Sequence, residues 1–124
     1  MTTRRVSLWA PPLCYAALIF YLSSQSAPLP PLVPVVWDKA LHAMEYAGLA
    51  LLLCRALRGE TVSWWRSVVF ALIVASVYAA TDEGHQLLVA GRDADVRDWL
   101  AASVGAAIGP GVYAWVVTRI RERR

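Results

Sequence analysis

The sequence predicts an all-α integral membrane protein, a bundle of four transmembrane helices with both termini on the cytoplasmic side. Three observations carry that reading. Of 124 residues, 58% are hydrophobic and only 17% are charged, against about 45–50% and 25% in average soluble domains. A chain this short has much surface and little interior, so folded in water it could not hide that much apolar surface; the mean hydropathy is +0.47. The apolar residues fall into four runs, each close to the roughly 20 residues needed to cross the hydrocarbon of a bilayer. The cations sit at the ends of those runs and favour one side. Disorder is excluded because disordered chains are poor in apolar residues, and 7 Gly and 7 Pro without a period exclude a collagen-like fibre. One membrane domain over residues 1–124 is expected, with spans at about 7–23, 38–57, 64–82 and 98–118.

The first run follows Arg4 and Arg5, and no charge occurs from Val6 to Trp37. Pro11 and Pro12 fall in its first turns, where a missing N–H donor matters least. The Ser- and Pro-rich stretch from Ser24 to Pro34 reads as a loop. Arg4-Arg5, an apolar run and Ser24-Gln25-Ser26 also look like a secretory signal with a small-residue cleavage site; cleavage there would remove the first span and leave three. The second run, Asp38 to Leu57, is interrupted by Glu45 and carries His42. The third runs from Trp64 to Asp82, with an extension to Val89 open, and the fourth from Asp98 to Thr118. Short connections make neighbouring helices antiparallel.

The 12 cations orient the bundle. With the N-terminus inside, Arg4, Arg5, Arg55, Arg58, Arg66, Arg119, Arg121, Arg123 and Arg124 face the cytoplasm, and Lys39, Arg92 and Arg97 face out. Nine against three is the positive-inside bias. Trp9, Trp64, Trp65 and Trp115 fall near the inner boundary and Trp37 and Trp99 near the outer one, where a ring that is partly apolar and partly wet is stable. The basic pI does not indicate nucleic acid as a partner, because the cations are scattered and form no basic, aromatic-interleaved stripe. Cys14 and Cys54 lie in apolar runs without CxxC spacing and read as small buried hydrophobes.

Most of the other ionisable groups gather at the outer end; Glu60 and Glu122 are exceptions. Residues three and four apart share a helix face, so Asp38, His42, Glu45, Tyr46 and Leu49 form one stripe on the second helix. Its polar part covers eight rises, about 12 Å. Tyr78, Asp82, His85 and Gln86 share a face of the third helix if it persists that far. A carboxylate facing lipid costs roughly 2.5–3.5 kcal/mol at mid-membrane and less near the edge. Both stripes are therefore expected to face each other and to line a polar pocket open to the outer side. On the fourth helix Asp95 is placed as an N-cap with Asp98 in the first turn. Gly105-xxx-Gly109 permits close helix approach, either inside the bundle or in a homodimer.

This pattern suits two kinds of chemistry. Arg92 and Lys39 suit a phosphate, one as a fork and one as a point charge. His42, oriented by Asp38 or Glu45, suits a general base. The expected catalytic set is His42, Asp38, Asp82 and Glu83, and the expected ligand-binding set is Lys39, Glu45, Tyr46, His85, Gln86, Arg92 and Asp98. His42, His85, Asp82, Glu83 and Asp38 are permissible metal ligands, but a single HxxE from His42 to Glu45, without HExxH or a cysteine pair, leaves no metal and no cofactor expected. A path for ions or protons needs polar groups through the membrane, and the inner halves of the runs are apolar. The competing reading is an ion-pair network that only holds helices together, in a structural or partner-modulating protein.

Several of these residues also form a pattern. Ser23-Ser24-Gln25 closes the first run, and Asp38-Lys39-Ala40-Leu41-His42 with Tyr46 and Leu49 opens the second. Thr81-Asp82-Glu83-Gly84-His85-Gln86 is followed by Gly91-Arg92, then by Asp98, Gly105 and Gly109. In order and spacing this resembles the VanZ-like family of small bacterial membrane proteins, from about Phe20 to Gly109. The chain departs from it in three places. Ala102 stands where the family commonly has Asn, Ala90-Gly91 where it usually has Pro-Gly, and Glu45 is not part of the pattern. The resemblance implies an association with the cell envelope; in a protein of the bacterial inner membrane, the outward polar pocket then makes membrane lipids or lipid-linked envelope intermediates the expected partners. The name-giving member lowers sensitivity to teicoplanin, a glycopeptide antibiotic. No settled biochemical activity comes with the family.

Overall fold

A computed structural model of the chain describes residues 3–26 and 35–124. The described chain forms four helices, α1 (Thr3–Ser23), α2 (Val35–Gly59), α3 (Trp64–Gln86) and α4 (Val96–Glu122). No strand occurs among the described residues. Each helix is long and apolar enough to cross a membrane. Most of the Ser24–Pro34 loop expected from the sequence lies outside the described residues.

The helices overrun the apolar runs, because helix continues into the flanking polar residues. α1 starts at Thr3 rather than near Ser7, which puts Pro11 and Pro12 two turns inside it. Proline at position 11 removes the donor that would reach the Ser7 carbonyl four residues back. The guanidinium of Arg55 takes that carbonyl instead, with Nη1 3.4 Å from Ser7 O. α3 persists to Gln86, so Asp82, Glu83, His85 and Gln86 all belong to it.

α2 is the centre of the packing. It lies against α1, α3 and α4, while α1 touches α3 only slightly. The core joins Tyr46, Leu49, Ala50 and Cys54 of α2 with Ala71, Ala75 and Ala79 of α3, Ala102 and Ala106 of α4, and Ile19 of α1. Its small residues let helices approach closely, as is usual where lipid, not water, surrounds them. A β-carbon added at Gly105 would run into the Ala43 carbonyl, and one at Gly109 into the Ala47 carbonyl and the Leu51 nitrogen. The Gly105/Gly109 face is thus occupied by α2 of the same chain and is not free for a second copy. Ser76 and Ser103 pair their hydroxyls at 2.6 Å, and the Trp99 indole donates to Ser76 O at 3.0 Å, joining α3 to α4.

Large apolar side chains such as Leu13, Tyr21, Phe70, Val77, Val104 and Ile108 stay exposed on the outside of the bundle. A water-soluble monomer rarely shows so much apolar surface; hydrocarbon removes the cost. Cys54 is buried as expected, but Cys14 is exposed, on a face of α1 that no other helix covers. At one end the bundle carries its arginine-rich termini. There Arg4 donates to Gly59 O, and Glu60 receives both Arg5 Nε at 3.4 Å and the Trp9 indole at 3.3 Å. Glu60, set apart from the other acids in the sequence, ties α1 to the turn after α2.

Candidate functional site

The opposite end gathers the C-termini of α1 and α3 and the N-termini of α2 and α4. Two groups of residues form there, and they behave differently.

The first group is a clamp at the start of α4. Asp95 has extended backbone and its carboxylate accepts the Arg97 amide at 2.8 Å, the N-cap bond expected from the sequence. The Asp95 amide donates to Glu83 Oε2 of α3 at 3.1 Å. Lys39 of α2 donates to Asp95 at 3.1 Å and also to Asp98. One lysine and one buried glutamate therefore fasten α2, α3 and α4 together. The Arg97 amide, and after it Lys39, hold the Asp95 carboxyl below the usual carboxylate range. A depressed folded-state value stabilises the fold above the ordinary Asp value of about 3.9 and loses that contribution as pH falls through the folded value. Thermal melts of wild type and Asp95→Asn should therefore differ at neutral pH, with wild type the more stable, and converge as pH falls below about 4. A pH-independent difference would contradict this role.

The second group lines a cavity of about 280 Å³. α1 and the residues after it supply Ile19, Leu22, Ser23 and Gln25; α2 supplies Asp38, Leu41, His42 and Glu45; α3 supplies Asp82 and Gln86; Arg92 comes from the α3–α4 loop. Gly91 precedes it with φ +79°, left-handed backbone open to glycine, and this turn aims Arg92 back at α1. Arg92 Nε and Nη2 approach Gln25 O and Leu22 O at 3.3 and 3.4 Å. Leu22 lies in the last turn of α1 and Gln25 follows the helix, so the guanidinium sits at the C-terminal end of α1, where a cation suits the dipole.

The cavity is poorly satisfied. Ser23 Oγ, His42 Nδ1, Tyr46 OH and Asp82 Oδ1 are buried and have no hydrogen-bond partner. Tyr46 is 1% and Asp82 5% exposed. Buried polar atoms are normally paired, and each left unpaired costs about 1–3 kcal/mol. Ser23, His42 and Asp82, from three helices, line this cavity, and Tyr46 lies beside Asp82. The other imidazole nitrogen, His42 Nε2, lies 3.7 Å from Asp98 Oδ2 and 4.0 Å from Asp38 Oδ1, beyond hydrogen-bond length. Ligand atoms of Asp38, His42 and Asp98 come within 4.8 Å of one another and could hold a cation. The Lys39 ammonium already neutralises Asp98 in that group.

The sequence-derived residues thus divide. Asp38, His42, Glu45, Asp82, Gln86 and Arg92 meet at the cavity, and Tyr46 lies buried beside Asp82. Lys39, Glu83 and Asp98 belong to the clamp. His85 faces α1, where its ring stacks on Phe20 at 4.6 Å and Nε2 pairs with Ser24 Oγ at 3.1 Å. Tyr78, from the same stripe, donates to Ala16 O at 2.7 Å. His85 and Tyr78 fix α1 to α3 and stay out of the cavity lining. The roles expected for Glu83 in catalysis, and for Lys39 in holding a phosphate, find no support in these positions. Ser23 and Gln25 were not expected as site residues; their signal was the Ser23-Ser24-Gln25 run at the end of the first span. Ile19, Leu22 and Leu41, the apolar wall, gave no signal.

Four apolar helices with a polar cavity at one end define a small multi-pass membrane protein. The family described as VanZ/LLP1 matches residues 8–117. The chain belongs to that family, and the match takes in α1, so the first helix is part of the fold the family shares. Comparison with the curated proteins and with the solved structures found no match.

Proposed function

We propose that the chain binds, or acts on, a cell-envelope lipid or lipid-linked intermediate of the bacterial inner membrane, whose polar headgroup enters the cavity from the outer leaflet. The observation that carries this reading is the set of four unpartnered buried polar atoms around a cavity whose rim is apolar. Intramembrane ionisable groups are costly and mark functional sites by default. The outward direction rests on nine arginines at the opposite end against Lys39, Arg92 and Arg97 at this one. Among the roles expected from the sequence, Arg92 anchors the headgroup by a charged fork and His42 offers its free Nδ1. An effect on glycopeptide sensitivity follows if that lipid is part of the antibiotic's target or surroundings.

The second reading, a polar cluster that only joins helices, is favoured for Lys39, Glu83, Asp95 and Asp98 and for the Ser24–His85 pair, because all of these have partners. It does not account for Asp82 and His42.

The test is mass spectrometry of lipid carried through native purification by wild type, Arg92→Ala and His42→Ala. Wild type is expected to retain about one lipid per chain, as for a single-headgroup cavity of this size. Arg92→Ala should lose it at unchanged helicity and membrane level. Equal lipid in all three would overturn the proposal.

A further inference from the structure

The charge of the cavity does not suit a bare phosphate. Asp38, Glu45 and Asp82 line it against one guanidinium, Arg92. Lys39, the second cation that a phosphate would want, is taken up by Asp95 and Asp98 and lies 3.8 Å from Asp38, which leaves Glu45 and Asp82 against Arg92 alone. Glu45 has no hydrogen-bond or ion-pair partner among the described residues, Asp82 has the Tyr46 hydroxyl beside it, and Asp82 and Ser23 are 5% and 6% exposed with Asp82 Oδ1 and Ser23 Oγ unpaired. Buried carboxylate oxygens call for N–H donors that bring positive charge. Arg92, held by the Leu22 carbonyl of α1 and the Gln25 carbonyl just after it, keeps Nη1 unengaged among the described residues.

We propose that the cavity takes the headgroup of a zwitterionic aminophospholipid, with its primary ammonium toward Asp82, Glu45 and Ser23 and its phosphodiester on Arg92. This rests on the lipid reading above and names the class of lipid. A primary ammonium has three donors, which suits Asp82 Oδ1, Ser23 Oγ and the Glu45 carboxylate, all in the cavity lining, as acceptors, and its charge offsets the excess of carboxylates. The source is a membrane lipid rather than a soluble phosphate ester because the cavity wall is greasy at its rim. Leu22 and Leu41 line it and stay 46% and 38% exposed on the surface of α1 and α2, where acyl chains can follow.

The full chain, purified in detergent, is titrated by native mass spectrometry with phosphatidylethanolamine, phosphatidylglycerol and phosphatidylcholine of matched acyl chains, and with free phosphoethanolamine. Phosphatidylethanolamine should bind about tenfold or more tighter than each of the other three. Phosphatidylcholine has a quaternary nitrogen without donors, and phosphoethanolamine lacks the acyl chains. Asp82→Asn should abolish the preference for phosphatidylethanolamine over phosphatidylglycerol, and Arg92→Ala should weaken both. Asp82→Asn keeps an oxygen acceptor for the Tyr46 hydroxyl beside it; should it lower helicity, Glu45→Gln carries the same comparison. Phosphatidylglycerol or phosphatidylcholine binding as tightly as phosphatidylethanolamine, and more weakly in Arg92→Ala, would overturn the amine assignment and leave the lipid reading standing. Phosphoethanolamine binding as tightly as the lipid would overturn the lipid source. No loss of any lipid in any cavity variant would overturn both.

Discussion

Replacing Lys39 with methionine should destabilise the bundle by about 3 kcal/mol, the lower end of the cost of stranding one member of a buried ion pair. The Lys39 side chain is 24% exposed and that of Asp98 10%, so the pair is mostly desolvated. Without the ammonium, Asp98 is left beside His42 at 3.7 Å, beyond hydrogen-bond length, and near the Asp95 carboxylate that shared the same lysine. Methionine keeps most of the stem and its packing, so the loss reports charge. The same variant carrying Asp98→Asn should recover much of the stability, because the stranded charge is then gone; a coupling of about 1–3 kcal/mol is expected for residues in one network. Reversible denaturant or thermal unfolding in detergent measures this. A Lys39→Met chain within about 1 kcal/mol of wild type would show that Lys39 does not fasten α2 to α4.

Gly105→Val should cost about 3 kcal/mol or more, beyond the usual range for overpacking. A β-carbon at 105 meets the carbonyl oxygen, carbonyl carbon and α-carbon of Ala43, all of them backbone, so no side chain can swing aside. The helices have to separate, and the α2–α4 contact, the most extensive in the bundle, opens. Gly111 on the same helix is the control, since nothing lies within 4 Å of a β-carbon placed there. Gly111→Ala should raise stability by about 0.8–1.0 kcal/mol, the helix-propensity difference. Equal effects at the two positions would mean that α4 does not rest on α2 through Gly105.

The helices were legible because hydrocarbon forces a long apolar run, and four such runs are hard to read as anything else. Their ends were less legible. Helix hydrogen bonding continues past the apolar run wherever polar residues can sit in it, so α1 began at Thr3 and α3 ended at Gln86. The meeting of Asp38, His42 and Glu45 with Asp82 followed from spacing alone: a stripe of ionisable groups on one helix must face another such stripe. What spacing could not divide was that collection into satisfied and unsatisfied members. Glu83 and Asp82 are sequence neighbours, about 100° apart around the helix, and that rotation sends one to the Asp95 amide and the other to the cavity. Lys39 reaches the clamp and Asp38 the cavity lining, although their side chains still meet at 3.8 Å. His85 read as a ligand because histidine in a membrane invites that role, yet its partner is Ser24 just after α1, a helix whose position the sequence does not give. Likewise, Gly105 and Gly109 read first as a contact within the bundle but left a contact between chains open, since a small-residue face states only that a backbone comes close.

The central claim is that the orphaned atoms of the cavity are completed by a lipid headgroup. The most direct measurement is a crystal structure of the wild-type chain grown from a lipid mesophase doped with phosphatidylethanolamine. The account predicts headgroup density in the cavity within hydrogen-bond distance of Asp82 Oδ1 and Ser23 Oγ, with phosphate oxygens on Arg92. A cavity in which Ser23 Oγ, His42 Nδ1 and Asp82 Oδ1 bond only to one another or to ordered water would contradict it.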